Sequence, residues 1–159
     1  MKIILVEDNF SLSYTMSNLL AKLDCEVKHF STGEKAIEYF SDPDSSYDLV
    51  ILDGNLAPTY LSGNSKICNG PEVAAVILRL NKKTPIIPWT DDAQMLIRFQ
   101  KLFDLYEKGP IPQLKKPIVP SNLREVITSF INNNANLENE GSSQSRGRAF
   151  TSPPVLRKS

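Results

Sequence analysis

Four short stretches, far apart in the chain, carry side chains able to handle a phosphoryl group: the acid pair Glu7-Asp8, then Asp53, Thr90 and Lys116. An ionised carboxylate such as that of Asp53 is a nucleophile that can form an acyl phosphate. A threonine hydroxyl such as Thr90 can donate to one phosphoryl oxygen, and a lysine ammonium such as Lys116 offers a compact charge to another. Crowded carboxylates repel and raise each other's pKa unless a cation intervenes, and an all-oxygen set with spare water positions suits Mg2+. Glu7, Asp8 and Asp53 supply that set, and Asn55 could add its backbone carbonyl. In-line transfer asks mainly for positioning and charge neutralisation, which such groups provide.

Positioning falls to the elements before them. Ile3 to Val6 precedes Glu7, Leu49 to Leu52 precedes Asp53, and Pro85 to Trp89 precedes Thr90. Short apolar runs closed by turns read as buried strands of a parallel sheet, whose carboxyl ends share one edge. Cys25 to Phe30 reads as a further strand. The segment 109–115 reads as a fifth, at an edge because of Pro110 and Pro112. Helical spacing separates the strands. It joins Leu12, Met16, Leu19, Leu20 and Leu23, then Ala36, Ile37 and Phe40, then Val73, Val76, Ile77 and Leu80. Leu96, Phe99, Leu102, Phe103 and Tyr106 form the next apolar face, and Leu123, Val126, Ile127, Phe130 and Ile131 the last. Ser31 to Glu34 has the form of a capping box, Gly70-Pro71 suits a helix start, and Ser121 suits a cap. Five strands alternating with five helices predict an α/β flavodoxin-like, doubly wound parallel sheet of order 2-1-3-4-5 with helices on both faces. That order sets strands one and three about 4.8 Å apart, bringing Asp8 and Asp53 together.

The 159 residues accommodate one domain. It is expected over 1–133, with a long polar loop after Asp53 and a disordered tail over 134–159, where the composition turns to Asn, Ser, Gly, Arg and Pro. Acidic and basic residues balance at 18 each, and no basic stripe is interleaved with aromatic residues, so direct nucleic-acid binding is not expected. Ile3 to Val6 is far too short to span a membrane. Two cysteines without C-x-x-C spacing, and no recognisable secretory leader, make a reducing cytoplasm the expected compartment. A single histidine, His29, excludes histidine metal clusters, and its place beside Phe30 in a strand-like run reads as structural and speaks against a Ser-His-Asp triad. Trp89 reads more readily as packing than as a substrate-stacking residue.

Together, Val6-Glu7-Asp8-Asn9, Val50-Ile51-Leu52-Asp53, Thr90 and Lys116-Pro117 resemble the receiver domain of bacterial two-component response regulators, over the chain up to about residue 133. The resemblance implies a single-domain regulator phosphorylated on Asp53 by a sensor histidine kinase or histidine phosphotransfer protein. Mg2+ would be held at Glu7, Asp8, Asp53 and Asn55, and a downstream protein would read a changed surface. It implies no enzymatic activity beyond self-catalysed phosphotransfer and dephosphorylation. Three departures stand out. Residues 59–69 look like a loop insertion, Asp91 replaces the small residue that usually follows the switch hydroxyl, and Gln113 occupies the aromatic switch position. Asp91 and Gln113 support an alternative, a phosphorylation-independent interaction module of receiver type. A Mg2+-dependent phosphatase would want a second acid where Asn55 stands. Pairing of two copies stays open, although the prolines of 109–115 count against pairing through that segment.

Overall fold

Every residue from Ile3 to Val6 and from Leu49 to Leu52 is buried, as continuous apolar runs require of strands covered on both faces. The computed structural model describes residues 1–57, 59–61, 64–66 and 68–150. In chain order the elements are β1 (Lys2–Val6), α1 (Phe10–Ala21), β2 (Glu26–Phe30), α2 (Gly33–Ser41), β3 (Leu49–Leu52), β4 (Thr59–Leu61), β5 (Asn64–Lys66), α3 (Gly70–Leu80), β6 (Ile86–Pro88), α4 (Ala93–Leu105) and α5 (Pro120–Phe150). The main sheet is parallel with order β2-β1-β3-β6, so the 2-1-3-4 part of the predicted order is present.

Side chains alternate across that sheet. Ile4, Val6, Val50, Leu52 and Ile86 share a cluster with Ala36 and Phe40 of α2, Val73, Ala74, Ile77 and Leu78 of α3, and Phe99 and Phe103 of α4. The alternate positions Ile3, Leu5 and Ile51 face the other way, and α1, which packs on β1 and β2, buries Met16 and Leu20.

Several expectations change. No fifth strand forms over 109–115: Pro110 and Pro112 lack the N–H that a ladder needs, and the segment runs irregularly with Leu114 buried. The expected insertion contains an antiparallel ribbon, with Thr59 paired to Lys66 and Leu61 to Asn64; residues 62, 63 and 67 of that stretch, and residue 58 before it, lie outside the described residues. On α3 Leu80 is exposed while Ala74 and Leu78 are buried, because packing against both α2 and α4 turns the inward face. The last helix begins at Pro120, so Ser121 sits in its first turn and not at its cap.

The cap of α2 is also displaced by one residue. Thr32, not Ser31, accepts the Lys35 N–H, at 3.3 Å. Thr32→Ala should therefore cost about 1 kcal/mol in chemical denaturation, and Ser31→Ala only a few tenths. Equal losses in the two variants would contradict the assignment.

The chain divides into two compact units, Met1–Leu123 and Arg124–Ser159. In the second, the backbone is helical to Phe150, including 134–150, where disorder is expected from composition; residues 151–159 lie outside the described residues. The compositional argument concerns burial, and residues 131–137 are indeed all exposed. Among the described residues no helix is long and apolar enough to cross a membrane.

Candidate functional site

The parallel register sets the site. Val6 pairs with Leu52 and Leu52 with Pro88, so Glu7, Asp53 and Trp89 each follow their strands at the same edge. Backbone hydrogen bonds extend the ladder one step further: Asp53 N–H donates to the Val6 carbonyl at 3.0 Å and Trp89 N–H to the Leu52 carbonyl at 2.8 Å. On the outer side, Glu7 N–H donates to Phe30 O at 3.1 Å, and His29 Nε2 lies 2.7 Å from the Glu7 carbonyl.

At this edge the predicted groups meet. Lys116 Nζ lies 2.9 Å from Glu7 Oε2 and 3.0 Å from Asp53 Oδ1. Glu7 is 1 % exposed and Asp53 4 %, while the lysine side chain is 10 % exposed. Asp8, at the exposed rim, completes a triad whose carboxylate oxygens lie within 4.8 Å of one another. Thr90 is buried, and its Oγ1 accepts the Asp92 N–H at 3.2 Å. A Cβ placed on Gly54 would lie 2.9 Å from that hydroxyl oxygen, so the residue after Asp53 must be small for Thr90 to sit where it does. Asn55 donates its backbone N–H to Asp53 Oδ1 at 3.3 Å and its amide to Asp92 Oδ2 at 3.0 Å.

Two side chains have more structural consequence than the sequence assigns them. Asp92 caps α4 by accepting the N–H groups of Gln94 and Met95, and the added hydrogen bond from Asn55 helps hold its carboxyl below the usual carboxylate range. An aspartate just before a helical run signals the cap, whereas the link to Asn55 exists only in three dimensions. Trp89 is fully buried, donates Nε1–H to the Lys115 carbonyl at 2.9 Å, and has the Lys116 ammonium 4.7 Å from its ring centroid.

The electrostatics are unbalanced. Burial raises the Glu7 carboxyl to about 7, with Asp53 adding repulsion and Lys116 opposing it. Burial likewise raises Asp53 against the pull of Lys116. Burial alone would lower the Lys116 ammonium, but Glu7 and Asp53 outweigh it and hold it above its ordinary value. One ammonium thus pairs with two carboxyl groups, and Asp8 adds a third beside them. An all-oxygen donor set with excess negative charge fits a hard divalent cation such as Mg2+.

Residues 3–128 match the response regulator receiver domain family. The chain belongs to that family. No curated protein matches it. Among solved structures it is similar to the receiver domain of a modulated diguanylate cyclase from Desulfovibrio desulfuricans G20, at 25% identity and TM-score 0.62, over 83% of this chain and 94% of that one. The receiver domain of a putative LuxO repressor from Vibrio parahaemolyticus aligns at 22% identity and TM-score 0.64, over 87% and 94%. Vibrio cholerae chemotaxis protein CheY4 aligns at 20% and 0.62, over 81% and 97%. The last two likenesses bear on the fold alone, a CheY-like receiver fold.

Within this receiver domain, Asp91 is exposed and leaves the buried acid cluster to Glu7 and Asp53. Gln113 is also exposed and lies beside a cavity of about 270 Å3 that Thr90, Leu96 and Leu114 help to line.

The raised carboxyls make receiver stability pH-dependent. A carboxyl whose pKa is higher in the folded state than in the unfolded state contributes stability that is complete below about 4.5 and is lost as pH rises through about 7. The melting temperature of the metal-free protein should fall by several degrees across that window. A divalent cation held by these carboxylates would compete with the proton, so any gain from added Mg2+ would grow over the same window. Calorimetry at stepped pH, with and without Mg2+, checks both slopes; stabilisation by Mg2+ that does not vary with pH would contradict the assignment.

Proposed function

We propose that this receiver domain is a phosphoacceptor in two-component signalling, with Asp53 taking the phosphoryl group from a sensor histidine kinase or histidine phosphotransfer protein. The observation that carries the reading is the convergence of Lys116 on Glu7 and Asp53, with Asp8 within reach. An Asp53 oxygen attacks phosphorus, the phosphorus–nitrogen bond of the phosphohistidine breaks, and an acyl phosphate forms; water later cleaves it. Lys116 then offers its ammonium to a phosphoryl oxygen in place of the Asp53 oxygen it now pairs with. Thr90 donates its hydroxyl to a second oxygen while its oxygen goes on accepting the Asp92 N–H. Glu7, Asp8 and Asp53 would hold Mg2+, with the Asn55 carbonyl as a further ligand. When bound, Mg2+ neutralises charge on the incoming phosphoryl group.

The Thr90–Asp92 hydrogen bond links that hydroxyl to the start of α4, so a Thr90 drawn to the phosphoryl group would carry the helix start with it and give a downstream protein partner a changed surface to read. A cytoplasmic site of action goes with a kinase or phosphotransfer partner. The second reading, an interaction module that works without phosphorylation, draws on the exposed Gln113 and the cavity beside it. Intact mass after incubation with acetyl phosphate or phosphoramidate and Mg2+ separates them: a base-labile adduct of one PO3 unit supports the first, and its absence under every condition favours the second.

A further inference from the structure

We infer that Trp89 is a positioning residue for Lys116, replacing the support that a fifth strand would give. The inference rests on the phosphoacceptor reading for its effect on rate, but the contact between ring and ammonium does not.

Lys116 follows a stretch that Pro110 and Pro112 keep out of the sheet, so no strand ladder fixes its backbone. Something else must hold an ammonium between two buried carboxylates. Trp89 does so at two points. Its indole N–H donates to the Lys115 carbonyl at 2.9 Å, tethering the backbone one residue before the lysine. Its ring face lies under the Lys116 ammonium, 4.7 Å from centroid to Nζ, in a cation–π contact shielded from water. Lys115 N–H adds a longer hydrogen bond to Asn122 Oδ1, at 3.4 Å.

Trp89 is itself firmly held. Its own N–H donates to the Leu52 carbonyl at 2.8 Å, one residue before Asp53, and its side chain is fully buried. The path from the central strand through Trp89 to the ammonium is therefore short and rigid. The ring also differs in kind from the other partners of Lys116. Glu7 can turn to a cation and an Asp53 oxygen is used up in bonding to phosphorus, whereas the ring keeps its negative face throughout. The ammonium thus stays at the pocket while its hydrogen bonds change hands.

The chain has a single tryptophan, so fluorinated tryptophan incorporated during expression labels this site alone. Successive fluorines drain the ring face with little change of shape and make the indole N–H a better donor, which isolates the ring–ammonium contact. With acetyl phosphate and saturating Mg2+, the rate of adduct formation should fall steadily with each fluorine, by about tenfold at four, at an unchanged melting temperature. Equal rates across the series would overturn the inference. An independent readout is the Lys116 ε-methylene resonance of the full chain, which the ring current should shift upfield. A shift lost in Trp89→Leu supports the placement, and an unshifted resonance in the unsubstituted chain refutes it. If no adduct forms with the unlabelled protein, the phosphoacceptor reading fails, while the ring-current shift still decides the contact.

Discussion

Asp53→Asn should abolish the phosphoryl adduct that the unsubstituted chain forms with acetyl phosphate and Mg2+. The amide is nearly isosteric, so the backbone hydrogen bonds from Asp53 to the Val6 carbonyl and from Asn55 N–H to Oδ1 can persist. What disappears is the anionic oxygen that must attack phosphorus, and no neighbouring carboxyl can take its place. Glu7 is turned to Lys116 and to the Asn9 N–H, and Asp8 stands at the exposed rim. The substitution gives up the ion pair with Lys116, but burial already opposes the Asp53 charge and Glu7 still pairs with the ammonium, so the variant should melt close to the unsubstituted chain near neutral pH. Intact mass and a melting curve on the same sample give both results. An adduct that survives in Asp53→Asn would move the acceptor elsewhere, and a large loss of stability would make the missing adduct a folding effect.

Gly70→Ala should destabilise the domain by about 3 kcal/mol or more, among the largest effects of any single methyl group in this chain. Alanine in a helix is ordinarily better than glycine by about 1 kcal/mol, so propensity alone predicts the opposite sign. Space decides the outcome. A Cβ on Gly70 would fall on the Asp53 carbonyl oxygen, well inside van der Waals contact, and 2.7 Å from Phe99 Cζ. The Gly70 N–H also donates to the Gly54 carbonyl at 2.9 Å, so the start of α3 cannot withdraw without breaking its link to the Asp53 turn. Because the obstacle is backbone, relief requires moving Asp53 itself, and phosphoryl transfer should slow along with the loss of stability. Gly109→Ala is the control: nothing lies within 4 Å of its added methyl, and its stability should change little. Comparable denaturation midpoints for the two variants would contradict the close approach.

Both effects depend on a juxtaposition that the sequence only partly announces. The runs Ile3 to Val6 and Leu49 to Leu52 are legible because a strand buried on both faces leaves a continuous apolar signal, and an acidic residue after such a run marks a strand end. The segment 109–115 is a harder case. Its place after α4 in the strand–helix order suggests a strand, yet Pro110 and Pro112 each remove a ladder donor, and the segment stays irregular. Leu80 fits the helical spacing of α3 and is nevertheless exposed, because the inward arc is set by α2 and α4, which the spacing does not encode. At α2 two adjacent hydroxyl residues compete for the cap, and only the backbone path selects Thr32.

By itself the sequence determined the alternation of the four parallel strands with their helices, the chemical character of Glu7, Asp8, Asp53, Thr90 and Lys116, and membership of the receiver family, since each depends on residue type, local period or order along the chain. Tertiary structure alone decided that Lys116 lies between Glu7 and Asp53, that Trp89 supports it, and that Gly70 must lack a side chain. Those facts concern groups dozens of residues apart, and their distances follow from strand register and helix packing, which no local pattern contains.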